Sequence, residues 1–150
     1  MNIDEIDLDI LRELASNARA PLSAISDKVM LSVPAVSERI KKLEKGGFIS
    51  KYSAILDPSK FNKNLTCFTF VTLRYDETKL EAFRKFVENE PDINECHLIT
   101  GEYEYILKIT TSGPDSLGNL LDSLRKNADV LTSSTSIVLS SLRQDVSIRV

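Results

Sequence analysis

The sequence predicts an α+β chain of two domains, three helices over residues 1–60 followed by an antiparallel βαββαβ sheet over residues 61–150. Three observations predict it. Apolar residues recur at helical spacing three times before Gly46 and mostly at strand alternation or in paired helices afterwards. Pro21, Gly46-Gly47, Asp57-Pro58, Pro91 and Pro114 punctuate those patterns. A length of 150 residues with 42% hydrophobic content is enough for two small cores.

The first helix is read from Ile3, Ile6, Ile10, Leu11 and Leu14, with acids near its start where they complement the helix dipole. Pro21 ends the break that begins at Asn17. A short second helix carries Leu22, Ile25 and Val29 inward. Ser32 is a natural N-cap and Pro34 suits a first helical turn, so a third helix starts there and runs to about Lys45, where Gly46-Gly47 supplies a C-terminal cap. Val36, Ile40 and Leu43 share one face of it. Pro34, Glu38, Lys41 and Lys45 lie opposite, flanked by Ala35, Ser37 and Lys42.

Net charge is -3, which argues against a nucleic-acid partner until its distribution is considered. Residues 1–62 carry nine Lys/Arg and nine Asp/Glu; residues 63–150 carry ten and thirteen. Between residues 39 and 51, Arg39, Lys41, Lys42, Lys45 and Lys51 face only Glu44. A tight connection into a helix that is small at its start and basic towards its end has the geometry of helix-turn-helix recognition: small residues approach the groove floor and lysines reach phosphates. On that basis Ser32, Pro34, Ala35, Ser37, Glu38, Arg39, Lys41, Lys42 and Lys45 are the candidate contacts to double-stranded DNA. Arg39 flanks the buried stripe, leaving phosphate contact and an intradomain ion pair both open. Glu38 suits either a base contact or dipole stabilisation.

Residues 48–56 alternate β-branched or aromatic with small polar residues and read as a linking strand, the wing of the helix-turn-helix. Beyond residue 60, strands are expected at 65–74, 93–100, 102–111 and 130–140, with helices marked by Leu80, Phe83 and Val87 and by Leu117, Leu120, Leu121 and Leu124. This is the ferredoxin-like, split βαβ plan, with the first strand central and two helices on one face. The other face, carrying Phe, Val and Tyr, would leave an apolar patch in a monomer, so self-association is expected. Cys67 and Cys96 lie in separate strands and are expected to be reduced thiols. No export or membrane segment is visible, and a cytoplasmic location is expected.

Asp4, Asp7, Ile10-Leu11, Leu14, Asn17-Ala18-Arg19, Leu31-Ser32, Val36, Arg39-Ile40, Leu43-Glu44, Gly47, Ile49 and Tyr52 stand in an order and spacing that resembles the DNA-binding domain of the Lrp/AsnC, or feast/famine, transcription regulators. The likeness spans about Asp4 to Leu142, and Thr100-Gly101-Glu102-Tyr103-Glu104-Tyr105 resembles the family's glycine-containing loop, in which Asp is usual at the position of Glu104. Ser26 stands for a usual Ala and Met30 for a common Gly. The resemblance implies a dimer assembling further, often to an octamer, whose DNA binding responds to an amino acid or related metabolite. It maps the recognition helix to Val33–Lys45 and the effector region to Thr100, Gly101, Glu102, Tyr103 and Glu104. Glu102 and Glu104 would hold an α-amino group and amides near Gly101 a carboxylate, beside the acceptor-rich run Thr132-Ser133-Ser134-Thr135-Ser136. An ordinary turn and a solvated strand would look the same.

Two rival classes are an enzyme similar to tetrapyrrole-precursor decarboxylases and a ligand-binding subunit without DNA binding of its own. The first has only His97 as a candidate acid or base, and no nucleophile, phosphate-loop or metal-ligand spacing accompanies it. No catalytic residue, metal or cofactor is therefore expected.

Overall fold

The computed structural model describes residues 2–74 and 77–150. Its chain divides into two compact units, one of residues up to Ile55 together with Arg143–Val150, the other Leu56–Leu142.

In the first unit, α1 spans Glu5–Ser16, α2 Leu22–Val29 and α3 Val33–Lys45. A reciprocal capping box opens α1: the Asp4 carboxylate accepts from the Asp7 amide at 2.8 Å, and the Asp7 carboxylate accepts from the Asp4 amide at 3.2 Å. Ile10, Ile25, Val36, Ile40 and Leu43 form the buried core, as the helical spacing requires. Leu22, expected inward, is instead exposed at the first position of α2. The turn into α3 holds the two family departures. Met30 sits in the left-handed region at φ 53° with its side chain 86% exposed, a conformation glycine adopts at less cost. The Ser26 hydroxyl donates to the Leu31 carbonyl, a bond alanine could not make. At the far end of α3, Gly47 takes φ 76°, while Gly46 remains right-handed.

The expected linking strand is absent. Residues 48–56 have no ladder partner among the described residues, and an extended segment without one is not a strand. Tyr52 instead donates its hydroxyl to Glu44 at 2.9 Å. The C-terminal residues 143–150 group with the helices, Arg12 Nε donating to the Val150 carbonyl at 2.9 Å, so the second unit begins slightly before residue 61 and ends at Leu142, short of residue 150.

In the second unit, a 3-10 turn at Pro58–Phe61 precedes β1 (Leu65–Leu73), α4 (Glu77–Asn89), β2 (Ile93–Leu98), β3 (Tyr105–Thr111), α5 (Pro114–Ala128) and β4 (Val130–Ile137). The antiparallel sheet has the order β2-β3-β1-β4, with β1 central as predicted. Cys67, Val71, Leu73, Leu107 and Ile109 face Phe83 of α4 and Leu117, Leu120 and Leu124 of α5. Cys67 and Cys96 are free thiols; β3 lies between their strands, which places them roughly two strand spacings apart, beyond disulfide reach.

The opposite face differs from expectation. Strand alternation turns Val71 and Tyr105 to the helices, with the Tyr105 ring 4.9 Å from Phe83. Phe68, Phe70 and Ile106 remain on the open face, sharing it with Lys108, Glu95 and His97. The connection between β2 and β3 is also longer than the one-residue turn predicted at Gly101. Residues 99–104 form it, closed by the Ile99 amide donating to the Glu104 carbonyl at 2.7 Å.

Candidate nucleic-acid interface and effector loop

The interface rests on how α3 begins. Ser32 Oγ accepts from the Ala35 amide at 3.4 Å and Pro34 occupies the first turn, so the start of the helix carries small or ring-closed side chains beside the exposed Val33. Ala35 and Ser37 are half-buried; Glu38, Lys41, Lys42 and Lys45 are exposed. Glu38 and Lys41 pair at 2.8 Å, which holds the Glu38 carboxyl below and the Lys41 ammonium above their ordinary ranges. Lys42 and Lys45 have no acidic partner within ion-pair distance among the described residues.

Arg39 takes the ion-pair alternative. Its Nη1 donates to Asp7 Oδ1 at 2.7 Å and to Asp4 Oδ2 and Oδ1 at 2.9 and 3.0 Å. The bond to Asp7, then that to Asp4, pushes the guanidinium pKa up, while Asp4 is held down first by the Asp7 amide and then by Arg39. A groove of about 500 Å³ between α1 and α3 is lined by Asn2, Asp4, Asp7, Ala35, Glu38, Arg39 and Lys42. The structure therefore gathers Ala35, Glu38, Arg39 and Lys42 at one groove, with Ser32, Pro34, Ser37, Lys41 and Lys45 outside its lining. Sequence reasoning missed Asp4 and Asp7 as functional neighbours. The Asp-x-x-Asp spacing of a capping box was the available signal, but nothing in it indicates a partner 32 to 35 residues away.

In the second unit the predicted effector residues separate. Thr100, Gly101 and Glu102 form an exposed tip, with Gly101 at φ 123°, where a side chain would be strained. Tyr103 turns back, its ring 5.7 Å from Phe70. Glu104 is directed into the end of the sheet: its amide donates to the Val71 carbonyl at 3.1 Å and its Oε2 accepts from the Leu73 amide at 2.9 Å. It lines a cavity of about 270 Å³ with Leu73, Arg74, Glu77, Leu80, Leu98 and Tyr105. None of those six was singled out from sequence as effector-binding. The run from Thr132 to Ser136 is divided by strand alternation. Thr135 bonds Thr69 at 3.0 Å on the inner side, while Ser134 and Ser136 stand opposite Phe70 and Phe68. His97 is exposed, 3.4 Å from Glu95, which bonds Lys108 at 2.7 Å.

The AsnC-type helix-turn-helix domain matches residues 3–44, and the Lrp/AsnC ligand binding domain matches residues 66–148. The chain belongs to the Lrp/AsnC family. It is 32% identical over 143 residues to the HTH-type transcriptional regulator LrpA of Mycobacterium tuberculosis, covering 95% of this chain and 94% of the relative. A transcriptional regulator of Neisseria meningitidis solved with L-methionine superposes with a TM-score of 0.93 at 29% identity, covering 98% of this chain and 96% of that one. A feast or famine regulatory protein of M. tuberculosis, also with L-methionine, gives 0.88 at 29% identity, covering 99% of each. This Lrp/AsnC chain is thus a ligand-responsive, DNA-binding transcription regulator whose helix-turn-helix is α1 to α3 and whose ligand-binding domain is the antiparallel sheet. Among its described residues no helix is long and apolar enough to cross a membrane.

Proposed function

We propose that α3 enters the major groove of double-stranded DNA by its Ser32–Pro34–Ala35 end, with Lys42 and Lys45 as its principal phosphate contacts and Lys41, Ser37 and Glu38 alongside. One observation carries this assignment: on the outer face of α3, Lys42 and Lys45 stand without an acidic partner among the described residues, whereas Lys41 and Arg39 are already engaged. Arg39 is assigned to the fold, not to phosphate.

The effector is an amino acid, with L-methionine the first candidate because two structural relatives were solved with it. The tip formed by Thr100, Gly101 and Glu102 offers exposed amides for a carboxylate, and Tyr103 an aromatic wall. Glu104, bonded to the Leu73 amide, sets the loop's position more than it offers a free acceptor. Assembly into a homodimer and higher oligomers, up to an octamer, is supported by Phe68, Phe70 and Ile106 on the open sheet face. The protein acts in the cytoplasm and catalyses no reaction; His97 is exposed beside Glu95, whose carboxylate is already engaged by Lys108. The DNA-binding and sensing roles divide close to the segment before residue 60.

The test is equilibrium binding of the full chain to a duplex selected on it from a randomised pool, measured against salt. The logarithm of affinity is expected to fall linearly, by about 0.9 per phosphate neutralised, and Lys42→Glu with Lys45→Glu to flatten that slope. No binding at low salt would remove DNA as the partner. For the effector, thermal melting and oligomer size are measured across the twenty amino acids, L-methionine included; a ligand of the native assembly must raise its melting temperature by mass action. A panel without any shift would overturn the amino-acid assignment.

A further inference from the structure

The contact between Arg39 and the start of α1 spans 32 to 35 residues and joins the reading helix to the helix behind it. Asp7 is only 6% exposed, and its Oδ1 is the nearest of three carboxylate oxygens around Nη1. Removing Arg39 to reach a phosphate would leave this buried carboxylate with the Asp4 amide as its remaining bond, an outcome burial penalises strongly. The groove is also a poor seat for phosphate: its acids Asp4, Asp7 and Glu38 outnumber its cations Arg39 and Lys42. Val36, Ile40 and Leu43 decide which face of α3 turns to the core, but apolar contact is non-directional and leaves the fine rotation about the helix axis to directional bonds. A guanidinium held by two carboxylates is directional.

We propose that Asp7, assisted by Asp4, is a positioning residue for DNA reading, acting through Arg39 to fix the rotation of α3 and hence which outer side chains reach base edges. The inference rests on α3 being the reading helix. Arg39 then contributes to sequence discrimination without neutralising a phosphate.

The experiment uses the full chain, the selected duplex and a mixed-sequence duplex of equal length, each titrated over a range of salt well below the melting temperature. Arg39→Lys keeps the charge but cannot bridge both carboxylates in the same geometry. It is expected to lower the ratio of selected to mixed-sequence affinity about tenfold, comparable to one mismatched base pair, with the salt slope unchanged. Asp7→Asn should give the same pattern, and combining it with Arg39→Lys should add little, because both remove one contact. Should Asp7→Asn fail to fold, half-exposed Asp4→Asn replaces it, with a smaller loss of the same ratio. A slope flattened by about 0.9 in Arg39→Gln would make Arg39 a phosphate contact and overturn the proposal. So would an unchanged affinity ratio beside a lowered melting temperature, which marks a purely structural pair. Lys42→Gln separates the two layers: it should flatten the slope, and if no α3 lysine variant does so, the helix is not the DNA face and the positioning role falls with it.

Discussion

On α3 each outward side chain follows from its neighbour by one helical step, so Glu38, Lys41, Lys42 and Lys45 are exposed where the spacing puts them. In residues 100–104, by contrast, adjacent side chains go to unrelated places. Glu102 is in solvent, Tyr103 lies against Phe70 of β1, and Glu104 binds the Leu73 amide 31 residues away. A helix carries its own coordinate frame in its backbone hydrogen bonds, whereas a loop borrows its frame from the strands it joins. The recognition face is therefore local in origin and the effector loop is not.

The two cores provide the strongest way to probe that contrast. Leu43→Ala in the helical unit and Phe83→Ala in the sheet unit should cost about 2–5 and about 3–5 kcal/mol respectively, measured by urea unfolding. If the loop takes its frame from the sheet, Phe83→Ala should also alter the Tyr103 environment, seen in its aromatic proton shifts, while Leu43→Ala should not. A smaller effect is expected at the tip. Gly101→Ala has room for its methyl group but must hold φ 123°, so it should lose about 1–3 kcal/mol by strain alone, whereas Gly118→Ala, within α5, should not destabilise. Next come the two loop acids. Glu104→Ala should cost about 1 kcal/mol and speed hydrogen exchange at the Leu73 amide; Glu102→Ala should leave both within error, and equal effects would break the distinction drawn between them.

The smallest effect concerns acid. Asp4 is held below its ordinary pKa of 3.8, first by the Asp7 amide and then by Arg39. A lowered folded-state pKa gives stability that is present above the unfolded value and lost as pH falls through the folded one. Melting of the helical unit should therefore be flat with respect to this group near neutrality and begin to decline below about pH 4. Asp4→Asn should make that decline shallower, as followed by circular dichroism.

Most elements were legible in the sequence because their signals are short in range. The Ser32 cap, the stop at Gly46-Gly47, the stripe of Val36, Ile40 and Leu43, and the central place of β1 all stand in the structure. The linking strand over 48–56 failed because its alternation is necessary for a strand but not sufficient; pairing must supply the other half. The open sheet face was misassigned for a related reason, since which parity faces the helices is decided by what packs there. Nothing local to Met30 or Ser26 shows what their departures from the family pattern do, yet one stands at positive φ and the other bonds the turn.

By itself, then, the sequence determined the helix boundaries, the inward stripe and the basic outer face of α3, all consequences of periodicity and capping within a few residues. Tertiary structure alone decided that Arg39 belongs to Asp4 and Asp7 and that Glu104 belongs to Leu73. These are contacts between charged or polar groups 31 to 35 residues apart, and such partners are chosen by how elements pack, which no local pattern encodes.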